Sequence, residues 1–324
     1  MKKIYYIIIG LIIIITFILI YTFNNENKNN EITTIKVAEV THSAFYTPFY
    51  VAIKNNYFKD NNIDIDLILT SGANNVVAAV LSKDVDIGLC GPEATIYVYN
   101  EGEKDYIKTF AGLTKRDGQF IVSRTKIDNF KLEDLIGKEV LAGRPGGMPI
   151  INFYNALKNG NIEGVNTNDT VDFANLTSAF LSGTGDFVNL FEPNATKIEK
   201  MNKGYVVASV GIYAGEVPYT AFNARTSYIE NNKELINNFK DAINKGLEFT
   251  KNNNSKDIAK IIIDLFPDAS IEDLATIIER YKNADSWLDN TFITEKMFKN
   301  LEDMMIDSKL LKKYVPYKDL IINE

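Results

Sequence analysis

The stretch "IDIDLILT" (63–70) alternates Ile63, Ile65, Leu67 and Leu69 with more polar neighbours, the period-two signature of a strand. The period changes directly after it. In "SGANNVVAAVLS", Ala73, Val76, Val77, Val80 and Leu81 recur at spacings of three and four, which predicts a helix that Ser71 can cap. "DIGL" is short and apolar enough for a buried strand, and "GPEAT" restarts a helix with Pro92 at its first position and Glu93 in its first turn. "EVLAGRPGG" predicts another strand, ending at Arg144 and a glycine turn that opens a helix. After about residue 224 the pattern is largely helical, with Leu235, Phe239, Ile243 and Leu247 on one stripe and Ile258, Ile261, Ile262 and Leu265 on another.

The strand-helix-strand-helix order returns about a hundred residues later. "LTSGANNVVAAVLSKDVDIGLCGPEAT" (69–95) lines up with "TVDFANLTSAFLSGTGDFVNLFEPNAT" (170–196), matching Ala73-Asn74 with Ala174-Asn175, Leu81-Ser82 with Leu181-Ser182, and Asp86 with Asp186. Both copies end in a Pro/Glu pair, Pro92-Glu93 and Glu192-Pro193. Two copies are too few for a stacked solenoid and suggest two α/β lobes. The expected division is a first lobe of residues 34–118 plus 221–324 and a second of 119–220, joined by extended crossings at "DGQFIVS" (117–123) and "EVPYTAFNA" (216–224). Open sheets bind small molecules beyond the carboxyl ends of their strands, so facing lobes place a ligand in the cleft between them.

Ahead of the lobes, Ile4–Phe23 runs for 20 residues without a charge, long enough to span a bilayer core, and Lys2 and Lys3 precede it. Residues 1–23 are therefore expected to form a membrane anchor with the rest of the chain exported, followed by a polar linker at 24–33. A cleaved signal peptide would have a shorter apolar core and a small-residue cleavage site. The formal net charge of −7 supplies no basic field for nucleic acid. One cysteine, Cys90, and one histidine, His42, exclude an internal disulfide and leave no soft-ligand set for zinc or iron. The turn Arg144-Pro145-Gly146-Gly147 runs into Met148-Pro149, without the Lys-Ser/Thr pair of a P-loop or the third glycine of a dinucleotide fingerprint.

The segments "FYTPFYVAIKNNYFKDNNIDIDL", "LSKDVDIGLCGPEATIYVYNEG", "LIGKEVLAGRPGGMP", "LSGTGDFVNLFEPNAT" and "GYVVASVGIYAGEVPYT" resemble the extracellular solute-binding proteins of ABC importers. The branch is the one named for sulfonate, nitrate and thiamine-pyrimidine-precursor binding, and the resemblance covers about residues 34–320. It implies a two-lobed type II periplasmic-binding-protein fold, a ligand trapped by hinge closure, and delivery to a permease driven by a separate ATPase. No catalysis or cofactor is implied. A thiamine-biosynthetic relative is an enzyme that consumes its own histidine, but its pattern includes a cysteine cluster, and this chain has Cys90 alone.

Each candidate contact also has a purely structural reading. His42, Ser43, Phe45 and Tyr46 follow the first strand, "IKVAEV", where an aromatic face can stack on a ligand or simply pack the next helix. Ser71, Gly72 and Asn74 cap a helix, and one of them can also touch ligand. Gly91, Glu93 and Thr95 open a helix after a buried strand, where a glutamate is favourable with the dipole alone. Glu192 holds the matching place in the second lobe. Arg116 and Arg144 are the nearby cations and can pair with either glutamate. Gly146 and Gly147 offer N–H groups to an anionic or polar group, and Tyr219 flanks the return crossing. Together these favour a monomer that binds a nitrogen heterocycle, with Glu192 accepting its N–H groups, over a sulfonate or nitrate. An exported sensor domain and a pyrimidine-forming enzyme are the readings from other classes.

Overall fold

The computed structural model describes residues 16, 32–70, 72–143 and 145–323. The expected anchor apart from Thr16, and the linker apart from Ile32 and Thr33, together with Ser71 and Arg144, lie outside the described residues. No helix among the described residues is long and apolar enough to cross a membrane.

Among the described residues, ten strands form two five-stranded sheets. They are β1 (Thr33–Glu39), β2 (Ile63–Leu69), β3 (Ile87–Cys90), β4 (Ile107–Thr114), β5 (Phe120–Ser123), β6 (Glu139–Leu141), β7 (Asn166–Asn168), β8 (Phe187–Leu190), β9 (Tyr205–Ser209) and β10 (Thr220–Arg225). The first sheet has the order β2-β1-β3-β10-β4 and the second β7-β6-β8-β5-β9. In each, three neighbouring strands are parallel, the fourth (β10 or β5) runs antiparallel to them, and the fifth (β4 or β9) pairs antiparallel with the fourth and so runs with the first three. Short parallel strands covered on both faces need apolar runs rather than alternation, and β3 and β8 are buried at every position.

The internal repeat of the sequence maps onto this symmetry. β3 and β8 hold the same slot in their sheets, and each is followed by a helix, Glu93–Asn100 or Asn194–Lys200. Pro92 and Pro193 are the cap residues of those helices rather than their first turns. Thr33, placed in the linker by sequence, begins β1, and Thr220, placed in the second lobe, begins a strand of the first sheet.

The two crossings, 115–119 and 215–219, lie side by side. Val217 N donates to Lys115 O (3.0 Å) and Tyr219 N to Thr114 O (3.1 Å). Only these two short segments carry the chain between β4 and β5 and back to β10, the arrangement of a hinge.

The first sheet is covered by the helices Thr47–Lys54 and Lys233–Asn252, and Phe49, Phe58, Phe110, Phe222 and Phe239 interlock between them with ring centroids 4.9–6.5 Å apart. On the longer helix the buried stripe is Ile236, Phe239, Ala242, Ile243, Gly246 and Leu247, so Ile236 takes the place expected for Leu235. Gly246 is where the two helices touch. A Cβ there would lie 2.2 Å from Pro48 O and 3.0 Å from the Ala52 Cβ. Gly246→Ala is therefore expected to destabilise the protein by about 1–3 kcal/mol, the usual cost of overpacking, as measured by denaturant unfolding. An unchanged midpoint would mean that the helices separate freely at this crossing.

Candidate functional site

The carboxyl ends of β1, β3, β6 and β8 and both crossings converge where the two sheets meet, and the groups gathered there are buried and polar. β3 leads through Gly91 and Pro92 to Glu93, which is 4% exposed. Glu93 Oε2 has no hydrogen-bond partner within the protein. Burial pushes the Glu93 carboxyl up to about 7, while N–H groups at the helix start pull the other way. Gly91 makes room for it, since a Cβ at that position would lie 2.0 Å from Glu93 Oε2 and 2.9 Å from Met148 Cγ. Met148 opens the helix Met148–Asn159 of the second lobe, so the two lobes touch at this point.

One turn into that helix, Asn152 donates to Met148 O (2.9 Å), and its Oδ1 has no partner. On β8, both side-chain atoms of Asn189 are buried without partners. On the first crossing, the Asp117 carboxylate accepts from Gln119 N (2.6 Å), and burial raises it well above the usual carboxylate range. With its amide nitrogen turned toward acceptors, Gln119 donates to Asp117 Oδ2 (3.3 Å) and Pro149 O (3.2 Å). On the second crossing, the Tyr219 hydroxyl is buried without a partner of normal geometry, and burial beside Asp117 and Glu93 raises it well above the usual phenol range. Beside these groups stands an aromatic wall. Phe45 lies 5.7 Å from Phe191 and 5.8 Å from Tyr219, edge-on to the latter, and Phe191 continues to Phe173.

A fold normally pairs nearly all of its buried polar atoms. Here the Glu93 oxygen and the Tyr219 phenol lie unpaired where the two lobes meet, and Asn152 Oδ1 and both polar atoms of Asn189 are unpaired within the second lobe. Asp117, Gln119, Asn152, Asn189 and Phe191 were not foreseen from sequence. Their signal was present: "FVNL" places an asparagine inside a four-residue buried strand, and Asn152 interrupts the apolar stripe of its helix.

The structure gives several expected contacts other work. Glu192 is the main correction. Its carboxylate accepts from Thr196 N (2.8 Å), Thr196 Oγ1 (2.9 Å) and Arg280 Nη1 (2.7 Å), so it caps its own helix and is paired with a cation that sequence did not suggest. Arg116 binds Glu216 (3.2 Å) and Asp285 (3.5 Å) rather than either glutamate. His42 turns both ring nitrogens to acceptors, Nδ1 to Glu39 Oε1 (2.8 Å) and Nε2 to Leu265 O (2.9 Å), and stacks on Phe266. The Tyr50 hydroxyl also lies 3.1 Å from Nδ1, and the Glu39 hydrogen bond raises the pKa of the ring. His42 thus fixes the loop after β1.

Ser43 accepts from Phe45 N (3.2 Å) and donates to Glu192 O (3.0 Å), a bond between lobes. Tyr46 is buried beside Glu93, and its hydroxyl is pushed above the usual range chiefly by that burial. Thr95 donates to Pro92 O (2.8 Å), a bond within its own helix start. Gly72 occupies the cap position, and Asn74 is exposed on the helix it opens. Gly146 has φ +92°, a left-handed conformation that suits glycine, and its carbonyl accepts from Tyr97 OH (3.4 Å). Gly147 caps the following helix. Two open depressions of about 510 and 450 Å³ lie elsewhere, and among their lining residues only Arg280 bears on the groups above.

A family model described as NMT1/THI5 like matches residues 43–256. YtlA of Bacillus subtilis (strain 168), provisionally named a binding protein, is 40% identical over 300 residues, covering 92% of this chain and 90% of that protein. The formylaminopyrimidine-binding protein of Halalkalibacterium halodurans is 21% identical over 330 residues, covering 91% of this chain and 98% of that protein. Among solved structures, the ligand-binding component of an ABC-type import system from Staphylococcus aureus has a TM-score of 0.71 at 14% identity, covering 90% of this chain and 97% of that one. That last likeness is one of fold.

A carboxyl whose pKa is raised on folding weakens the fold once it must ionise. For Glu93 the penalty is absent below the ordinary value of 4.5, grows as pH rises toward about 7, and is constant above. Glu93→Gln is expected to melt above the native protein at pH 8, by the equivalent of about 2–4 kcal/mol, and to match it near pH 4. An equal gap at both pH values would mean that Glu93 carries no such penalty.

Proposed function

The chain belongs to the NMT1/THI5-like family, and from that premise we propose that it is the substrate-binding component of an ABC importer. It captures a small polar molecule between its lobes and passes it to a membrane permease served by a separate ATPase. The charge-free run Ile4–Phe23 anchors the chain, and the binding part works outside the cytoplasm as a monomer. Turnover and a cofactor form no part of this reading.

The observation that carries it is the unpaired oxygen of Glu93, buried where the two lobes meet. Among the unpaired buried atoms of the two lobes and their crossings, Glu93 Oε2, Asn152 Oδ1 and Asn189 Oδ1 are acceptors, Asn189 Nδ2 and Arg116 Nε are donors, and the Tyr219 hydroxyl is either. A ligand that satisfies the Glu93 oxygen supplies an N–H group to it. A sulfonate or nitrate supplies acceptors only, and beside Glu93 and Asp117 it is disfavoured unless both are protonated. An aminopyrimidine-like nitrogen heterocycle offers an N–H edge to Glu93 and a flat face to Phe45 or Phe191. The name of the formylaminopyrimidine-binding relative points the same way. The carboxylate assigned to the heterocycle is thereby Glu93 rather than Glu192.

Titration calorimetry tests this at pH 8 with the hydroxymethyl aminopyrimidine of thiamine and with methanesulfonate. Glu93→Gln is expected to weaken the aminopyrimidine by about 1.5–3 kcal/mol, roughly 10- to 100-fold. Binding of methanesulfonate alone, tightened by the same change, would replace the heterocycle with an anion. Conversion of either compound to a product would replace the binding role with an enzymatic one.

A further inference from the structure

We propose that Arg280, by clasping Glu192 and Glu199, is the positioning residue that latches the second lobe against the first without help from a ligand. The inference takes the interlobe cleft as the binding site, as above, and concerns what holds that cleft closed.

Arg280 stands on the helix Ile271–Asn283, which belongs to the first lobe by its packing. Its main contacts are with the helix Ser255–Ile262 and the turn Ala44–Tyr46 of that lobe, and the Tyr281 ring lies 5.1 Å from that of Phe45 while also reaching Phe120 on β5 at 5.5 Å. Its next turn reaches across. Arg280 Nη1 donates to Glu192 Oε1 (2.7 Å) and Thr196 Oγ1 (2.9 Å), and Nη2 binds the Glu199 carboxylate. Glu192 is held at its backbone as well: its N–H donates to Tyr281 OH (3.2 Å), and its carbonyl accepts from Ser43 Oγ (3.0 Å). One residue of the second lobe thus has its donor, its carbonyl and its carboxylate engaged by three side chains of the first. The outer pair Lys200–Asp273 (2.7 Å) extends the same seam.

The direction of the effect follows from desolvation. The Glu192 side chain is 0% exposed, and removing one partner of a buried pair leaves an uncompensated charge. With the lobes apart, water reaches Glu192, and the Thr196 bonds within its own helix remain. Loss of the Arg280 charge therefore penalises the closed arrangement alone and shifts the population toward the open one. Removing both charges removes most of that penalty.

Hydrogen exchange read by mass spectrometry on the full-length, ligand-free protein tests the latch. In Arg280→Gln, peptides spanning 43–46 and 192–196 are expected to exchange at least about tenfold faster together, the equivalent of roughly 1.4 kcal/mol. Peptides within β3 and β8 should keep their protection, and Arg280→Gln with Glu192→Gln should recover part of the loss. Unchanged exchange at both edges would overturn the proposal. So would loosening that extends through β8 and the helix Ser255–Ile262, or a double variant whose loss is the sum of the singles, because either marks a local structural role. The readout uses no ligand, so a latch that passes in a chain binding no small molecule would retire the binding reading and leave the latch standing.

Discussion

A carboxylate taken out of water with one oxygen unpaired is a state that a fold opposes, and Glu93 is held in it by everything around it. Its helix begins at the end of a strand buried at every position, and its own side chain is buried with it. Gly91 yields the space that its oxygen occupies, and Met148 from the other lobe closes over the same point. The Tyr219 hydroxyl beside it is unpaired as well, and Asn152 Oδ1 and the Asn189 amide add unpaired atoms in the second lobe. Satisfied networks of this kind rigidify a protein, whereas unsatisfied ones destabilise it. The unpaired Glu93 and Tyr219 groups at the meeting of two lobes make a binding site the economical explanation, because a ligand with complementary donors restores what the protein alone leaves open.

The architecture supplies the means of admitting one. Two sheets of matched strand order are joined among the described residues by paired segments at 115–119 and 215–219, and the contacts across the cleft combine aromatic packing, Phe45 on Phe191 and Tyr281 on Phe120, with polar side-chain ties. On one flank, Ser43, Arg280 and Tyr281 hold Glu192, while on the other Lys158 binds Asp307 and Asn300 donates to Glu216 O. Such contacts can exchange for water without unfolding either sheet. Closing the lobes is then a balance between ties that favour contact and buried groups that resist it.

Much of the fold was legible in the sequence because it rests on periodicity. The alternation at 63–70, the helical stripe after Ala73 and the echo at 170–196 each correspond to elements of the two sheets. The site was less legible. Glu93 and Glu192 look equivalent as partners of proline, yet one follows its proline and the other precedes it. That offset lets Glu192 fold back onto Thr196 four residues on, while Glu93 points inward. Arg280 lies 88 residues from Glu192 on a helix whose sequence signals only its own amphipathicity. His42 read as a ligand contact for want of any sign of Glu39 and Leu265 beside it. Asn152 and Asn189 were visible as polar interruptions in apolar runs, a signal that acquires meaning once both are seen to be unpaired.

The central claim, that the unpaired groups around Glu93 are the ligand site, is tested most directly by a crystal structure of the protein with its bound small molecule. The account predicts a planar molecule between the lobes, with a nitrogen about 2.7–3.1 Å from Glu93 Oε2 and its face against Phe45 or Phe191. A molecule seated instead in the outer depression lined by Asn237, Lys240 and Asn290, with Glu93 still unpaired, would contradict it.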